Sequence, residues 1–499
     1  MTEEAAIVGD GGVHGVKHMT VGNCRRPGDA PHVRPCHNAG VVLLISTYDL
    51  GRQPFGLASG AAALRAAGTE VVCADVAKER LSEETVRRAA VVAFFLPMHT
   101  ATRLAMPVID RVRALNPGAR LVAYGLYAPL NAPLLREHGV STIIGGEFED
   151  ALVASMNAQS PGGPGPREEA ARVPRVHFLV PDRAGLPALT KYATLQWGNE
   201  RRTAGYTEAS RGCKHRCRHC PIVPVYDGRF RVVPVEIVMA DVRAQVAAGA
   251  RHITFGDPDF FNGIGHATAI VERFADEFPG VSYDVTIKVE HLLRHGDALP
   301  RLRDTGCAFV TTAVESVDDH VLALLEKGHT RSDFEHVVET VREVPLTLAP
   351  TFVAFTPWTT LEGYCDLLGT IDRLGLVEHV SPIQLAIRLL VTEGSRLLEL
   401  PDIRGVIREF NPRSLSYPWT HADFRVDDLQ KQIEAFVGGN LSWARRDIFG
   451  SIWTLAHEAA GLSAARRVAP DAPARVTIPH LSEPWYCCAE PTSEQVALI

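Results

Sequence analysis

The chain has 499 residues, 46% of them apolar and 22% charged, with a formal net charge of −7. That balance suits a soluble protein of two or three domains with sizeable cores, and it argues against a generic nucleic-acid surface. Ten cysteines in so long a chain do not make a disulfide scaffold, and the longest apolar run, residues 89–98, is too short to span a bilayer.

Residues 1–39 are rich in Gly, Pro, His and Arg without periodicity, and read as a flexible N-terminal arm that carries Cys24 and Cys36. No basic segment followed by an apolar core opens the chain, so no signal peptide is expected and the cytoplasm is the expected compartment. Residues 40–156 alternate apolar runs with helical patterns. Strands are expected at 41–45, 70–74, 91–96, 121–125 and 142–144, with helices at 56–68, 82–90 and 103–115. This alternation predicts an α/β domain, a Rossmann-like doubly wound parallel sheet. Residues 157–200 contain Pro-Gly-Gly-Pro-Gly-Pro and then charges, the composition of an interdomain linker.

A second domain is expected over 201–400. Its first strand, near 206–210, leads into Cys213-x-x-x-Cys217-x-x-Cys220. A helix then follows from Pro234, with Val235, Val238, Met239, Val242 and Val246 at helical spacing and Gly249 at its end. Further strands are expected at 252–255, 283–289, 308–314, 346–355 and 380–389. Six strand–helix units make a partial (βα)6 TIM-like barrel, whose chemistry belongs at the C-terminal ends of its strands. Residues 401–499 read as a mainly helical region, with helices at 426–436 and 441–461. It ends in the tail Cys487-Cys488-Ala489-Glu490-Pro491.

The cysteine loop carries the chemistry. Thiols separated by three and two residues can converge on one iron–sulfur cluster, and three ligands rather than four leave one iron open. A zinc site is the competing reading, but zinc favours four protein ligands in pairs, and no second pair lies nearby. The spacing resembles the signature of the radical S-adenosylmethionine (SAM) superfamily. The resemblance implies that Cys213, Cys217 and Cys220 hold a [4Fe–4S] cluster whose open iron is chelated by the amino and carboxylate groups of SAM.

The same resemblance implies a set of SAM contacts. His219 stands where the family usually has an aromatic residue touching the adenine. Phe255-Gly256-Asp257 is similar to the segment that receives the SAM amino group through backbone carbonyls. Val314-Glu315-Ser316 is similar to a Gly-Val-Glu-Ser segment near the ribose and methionine moiety, and a Glu closing an apolar run is costly to bury unpaired. Lys327-Gly328-His329-Thr330 matches a turn that reads as structural. From the residues alone, Lys288 could pair with a carboxylate or be solvated. Asp259 could be a turn residue or a functional one. Arg388 could hold the SAM carboxylate or form a structural ion pair. Cys307 and Cys365 read as packing residues.

The first domain resembles the cobalamin-binding-type domain that precedes many radical SAM barrels, on Gln53-Pro54-Phe55-Gly56-Leu57-Ala58 and Gly145-Gly146-Glu147. The family's Asp-x-His-x-x-Gly motif has no counterpart here. His99 follows the third strand in a different pattern, so cobalamin stays open. The tail resembles the CUAEP/CCAEP-tail radical SAM (seleno)protein family, in which selenocysteine can stand at the position of Cys487. Exchange of sulfur for selenium implies a soft nucleophile, so Cys487 and Cys488 are expected to act catalytically at the active site.

Together these readings predict a radical SAM transferase that modifies a small molecule and draws electrons from a flavodoxin or ferredoxin. One alternative is transfer of the 3-amino-3-carboxypropyl group of SAM to trivalent arsenic, since the architecture is similar to that of arsinothricin-forming enzymes. A second is a cobalamin-type methylase or a methylthiotransferase acting on RNA or a peptide. RNA is the weaker of those substrates, because no basic excess and no C-terminal RNA-binding β-domain are present. A third is a non-catalytic iron–sulfur or soft-metal sensor. No membrane partner is expected.

Overall fold

The computed structural model describes residues 40–157, 173–465 and 478–483. The arm with Cys24 and Cys36, most of the Pro-Gly stretch, and the tail with Cys487 and Cys488 lie outside the described residues.

Five short apolar runs form an all-parallel sheet: β1 (Val42–Ser46), β2 (Val71–Asp75), β3 (Val91–Phe95), β4 (Arg120–Tyr124) and β5 (Thr142–Ile144), in the order β2-β1-β3-β4-β5. Both faces are apolar. Leu43, Ile45, Val92, Phe94 and Leu121 belong to one buried cluster, and Leu44, Ala93, Phe95, Val122 and Tyr124 to another. Helices cover each face, as a parallel sheet requires. The helix Glu83–Arg88 starts where the Ser82 side chain accepts the Thr85 N–H. The third expected helix starts earlier than its polarity pattern implies, at His99 rather than 103, and its extra turn is buried.

The second sheet holds seven strands in the order β13-β12-β11-β10-β7-β6-β14. Five run parallel: β7 (Glu200–Thr207), β10 (His252–Phe255), β11 (Ser282–Thr286), β12 (Cys307–Glu315) and β13 (Leu348–Phe352). Two antiparallel strands extend it, β6 (Thr194–Trp197) and β14 (His480–Leu481). A separate pair, β8 (Ser210–Gly212) and β9 (Phe230–Val232), closes the base of the cysteine loop. The α/β class and the half-barrel agree with expectation.

Two elements differ. β6 falls inside residues read as linker, where a four-residue strand of mixed polarity shows no periodicity to detect. The expected sixth strand at 380–389 is a 3-10 turn over Pro382–Leu385 followed by a single bridge, Phe355 to Arg388, because Pro382 at the first helical position favours a turn.

One large core separates this sheet from its helices. Ile253, Phe255, Tyr283, Val285, Val310 and Phe352 point into it, and so do Leu429, Ile433, Phe449 and Ile452 from the C-terminal helices Phe424–Gly439 and Arg445–Ala459. Among the described residues no helix is long and apolar enough to cross a membrane.

Candidate active site

β8 ends at Gly212 with φ +75°, and a side chain there would meet the Arg229 carbonyl and the Tyr226 ring. Glycine therefore allows the turn into Cys213. Cys213 and Cys217 are buried, Cys220 is half-buried, and all three are free thiols. Asn262 braces the loop by accepting the Lys214 N–H at 3.2 Å, and the Arg218 N–H reaches the Leu325 carbonyl at 3.0 Å. Burial pushes the Cys220 thiol up to about 12, and the nearby Cys217 and Cys213 add to the rise. Thiols that are costly to ionise together, at a site buried from water, suit a multivalent metal cluster that stabilises them as thiolates. The donor set fits an iron–sulfur cluster.

At the end of β12 the backbone register shifts and Glu315 adopts φ +70°, an unusual conformation for a residue other than glycine. That kink delivers a buried carboxylate to Lys327 and His219. Lys327 Nζ lies 3.1 Å from Glu315 Oε1, and His219 Nε2 lies 3.2 Å from the same atom. Burial alone would raise the carboxyl pKa, but Lys327 and His219 outweigh it and hold the group well below the usual carboxylate range. Lys327 is also buried and its pKa is raised. Burial opposes the charge, while Glu315 first and then Cys217 favour it. The residue read as part of a structural turn thus belongs to the group beside the cysteines.

The other expected residues divide. A side chain at Gly256 would overlap the Tyr206 ring, so glycine is required there, and its N–H donates to the Thr207 carbonyl. The Asp257 carboxylate accepts the Ala209 N–H at 2.9 Å and the Ser210 hydroxyl at 2.5 Å, tying β10 to the strand that enters the loop. Burial raises its pKa to about 7. Lys288 is buried with Nζ 3.7 Å from Glu290 Oε2, so it does face a carboxylate. The Ser316 hydroxyl accepts the Asp318 N–H and caps a turn. Arg388 is not gathered with this group. It binds Asp427 at 2.7 Å, donates to the Trp419 carbonyl at 2.8 Å and stacks on the Trp419 ring, which is the ion-pair alternative.

Arg211, two residues before Cys213, joins the two sheets. Its guanidinium reaches Glu147 at 3.0 Å, Glu149 at 2.7 Å and Glu208 at 2.7 Å, with the rings of Phe55, Phe148 and Phe178 around it. Burial keeps Glu147 and Glu208 above the ordinary range, whereas Arg211 overcomes burial at Glu149 and lowers it. Sequence spacing offered no sign of this cluster, because its members come from four separate segments.

Inside the half-barrel is a cavity of about 410 Å³, lined by Thr254, Asp284, Thr286, Thr311 and Thr351 on the inward strand positions. The Asp284 carboxylate is oriented by His252 Nε2 at 2.8 Å and the Thr254 hydroxyl at 2.6 Å. Leu481 and Glu483, at the end of β14, also line the cavity.

Residues 207–356 match the model of the radical SAM superfamily, a span that covers the cysteine loop, Glu315, Lys327 and strands β10 to β13. Residues 207–356 thus form a radical SAM domain. Arg388, the N-terminal sheet and β14 lie outside the matched radical SAM span. The chain is 25% identical over 207 residues to the tRNA-2-methylthio-N(6)-dimethylallyladenosine synthase of Methylococcus capsulatus, covering 39% of this chain and 45% of that protein. It is 27% identical over 177 residues to the ribosomal protein uS12 methylthiotransferase RimO of Parabacteroides distasonis, covering 33% of this chain and 40% of that one. The chain thus spans less than half the length of these two curated relatives. Among solved structures, the cobalamin-dependent SAM radical enzyme OxsB with aqua-cobalamin and SAM bound superposes with a TM-score of 0.62. The identity is 13%, over 84% of this chain and 71% of that one. The radical SAM methyltransferase TsrM of Kitasatospora setae, with tryptophan and a SAM analogue bound, gives 0.51 at 19% identity, over 67% and 71%. At such identities these structures show a shared fold.

Proposed function

We propose that the protein is a radical SAM transferase that modifies a small molecule held inside the barrel. The observation that carries this reading is the placement of three free, clustered thiols beside the buried Glu315–Lys327–His219 group, in a half-barrel whose interior is a polar cavity. Cys213, Cys217 and Cys220 would hold a [4Fe–4S] cluster, which when bound supplies the electron that cleaves a carbon–sulfur bond of SAM. Glu315, kept ionised by Lys327, presents its carboxylate to the polar groups of SAM, and His219 offers a ring face and a donor. Gly256 brings bare backbone to the same end of the barrel, where Asp257 fixes the entry to the loop. Asp284, set by His252 and Thr254, orients a polar substrate from below. β6 and β14 continue the sheet beyond β7, and Leu481 stands on the cavity wall.

The tail supports a specific role for Cys487 and Cys488. Cys487 and Cys488 themselves lie outside the described residues, and the support for this role is that Glu483, the last described residue before them, lines the cavity. The two thiols act on the radical-derived product or hold the acceptor, with trivalent arsenic one candidate for a dithiol.

Methylation or methylthiolation is a second reading, favoured by the named activities of the relatives. Cobalamin fits the seam poorly. The loops after β1 and β5 are filled by this chain's own Arg211, Glu147, Phe55 and Phe148, and His99 is buried in its helix start, so no step is assigned to that cofactor.

Product analysis tests the proposal. The anaerobically reconstituted full chain is incubated with dithionite and SAM, with and without arsenite and candidate metabolites. Release of 5′-deoxyadenosine or a carboxypropyl fragment is expected. Cys487→Ser should keep SAM cleavage and lose the transfer product. A chain that binds no cluster, or cleaves no SAM, refutes the proposal.

A further inference from the structure

A second set of donor atoms lies beside the cysteine loop and plays no part in the function proposed above. His215 comes from the loop between Cys213 and Cys217. Asp259 follows β10, and His291 belongs to the short helix Val289–Arg294 after β11. One ligand atom from each lies within 4.8 Å of the others. Asp259 Oδ2 is 2.7 Å from His291 Nδ1 and 3.4 Å from His215 Nε2. We propose that His215, Asp259 and His291 bind a divalent first-row transition-metal ion, at a site separate from the three cysteines.

Three observations converge. First, Asp259 Oδ2, His291 Nδ1 and His215 Nε2 are all buried and none makes a hydrogen bond. The distances alone would allow two imidazole N–H groups to donate to the carboxylate, but the directions fail. Polar atoms that face one another closely, yet off the hydrogen-bond axis, are what ligands of one ion look like, because each lone pair aims at the ion and not at its neighbour. With metal–ligand bonds of about 2.0–2.2 Å, neighbouring donors lie roughly 3 Å apart.

Second, the supporting contacts have the pattern that orients ligands. The other oxygen of Asp259, Oδ1, accepts the Phe261 N–H at 3.3 Å, which leaves Oδ2 for the ion. The other ring nitrogen of His215, Nδ1, lies 3.4 Å from Glu290 Oε2, a carboxylate behind a ligating imidazole. Lys288 Nζ faces that same Glu290 oxygen at 3.7 Å, which keeps Glu290 in a supporting place.

Third, burial demands compensation. The side chain of Asp259 is 0% exposed, that of His291 5% and that of His215 15%. A buried carboxylate without hydrogen bonds on one oxygen is costly, and a dication beside two neutral imidazoles removes that cost. Two imidazoles and one carboxylate suit Zn(II), Fe(II), Mn(II) or Co(II) and leave positions open for water. Such an ion would join three segments and pin the loop that carries Cys213 and Cys217.

The test uses the full chain, reconstituted so that the cysteines carry iron, then exposed to Zn(II) or Co(II), desalted and analysed for metal. One equivalent of zinc or cobalt beyond the iron is expected. Asp259→Asn and His291→Ala should each weaken its retention by more than about tenfold, with the iron content kept, and Glu290→Gln should weaken it by about tenfold. Retention equal in wild type and His291→Ala overturns the proposal, as does no retention of either ion. If a variant loses its iron, the visible spectrum of wild-type Co(II) protein decides. Ligand-field bands without thiolate charge transfer support the site, and thiolate charge transfer overturns it by placing the ion on the cysteines.

Discussion

The N-terminal sheet is parallel throughout and the barrel sheet is parallel over β7 and β10 to β13, yet their faces differ. In β1 to β5 both faces are apolar, and successive side chains enter two buried clusters. In β10 to β13 the outward residues enter one large core, while the inward ones are His252, Thr254, Asp284, Thr286 and Thr311. A sheet sealed on both sides can contribute stability and a docking surface. A sheet with one polar face encloses a cavity, and its strand ends must carry charges that pay for their own burial. Glu315 with Lys327 and His219 shows how that is done.

The largest contrast comes from chemistry. Cys217→Ala should abolish SAM cleavage and the brown absorbance of about four irons, with the thermal transition of the N-terminal sheet unmoved. Anaerobic iron analysis with calorimetry checks both halves. Phe94→Ala, in the sealed sheet, should cost about 3–5 kcal/mol in denaturant unfolding. The fraction that stays folded should retain its iron content and its SAM cleavage per iron. An equal loss of cleavage per iron would break the contrast between the sheets.

Lys327→Met leaves Glu315 buried with only His219 as a partner. A loss of up to about 3–5 kcal/mol is expected, and unlike Phe94→Ala it should also weaken SAM binding. Equilibrium binding of SAM to the reconstituted variant separates the two effects.

A smaller signature lies in pH. Burial raises the carboxyl of Asp49 to about 7 and that of Asp75 to about 6, against 3.8 unfolded. Between those limits the folded state keeps a proton that the unfolded state has lost. Their stabilising effect is therefore full below pH 4 and falls as pH rises to 6 or 7. Glu315 acts in the opposite sense, but its contribution is complete above its unfolded value of 4.5. From pH 5 to 7 Asp49, Asp75 and Asp257 therefore act to lower stability, while the buried imidazoles of His99 and His329, pushed down by burial to about 3 and about 4, act to raise it up to their unfolded value of 6.5. The difference between two chains isolates one group: Asp49→Asn should remove about 1.4 kcal/mol per pH unit of decline. Denaturant titrations at several pH values measure it; an unchanged slope would show that Asp49 ionises normally.

The smallest change is Thr311→Val on the cavity wall. Its stability effect should stay below about 1 kcal/mol, while the KM for substrate rises, because the hydroxyl faces the cavity and not the core. A stability loss as large as that of Phe94→Ala would mean that the inner face is packed core.

Much of this was legible along the chain. Runs such as Val42–Ser46 and Cys307–Glu315 announce strands because alternation or continuous apolarity records which faces are covered. The cysteine loop was legible because its ligands are local, three residues within eight positions. The residues that escaped are those whose partners are distant. Lys327 looked like a turn lysine until the chain between it and Glu315 folded back. Arg388 looked like a ligand for an anion, and its anion proved to be Asp427, 39 positions away.

The sequence by itself therefore determined the α/β alternation, the half-barrel and the three-thiol loop, since each rests on periodicity or on contacts within one short segment. Only the tertiary structure decided that β6 and β14 extend the barrel sheet, that Arg211 fills the seam, and that Lys327 stands beside the cysteines. It also decided that His215, Asp259 and His291 meet. Each of these depends on through-space distance between segments far apart in the chain, and electrostatic and coordination partners obey distance alone, with no fixed spacing for a sequence to display.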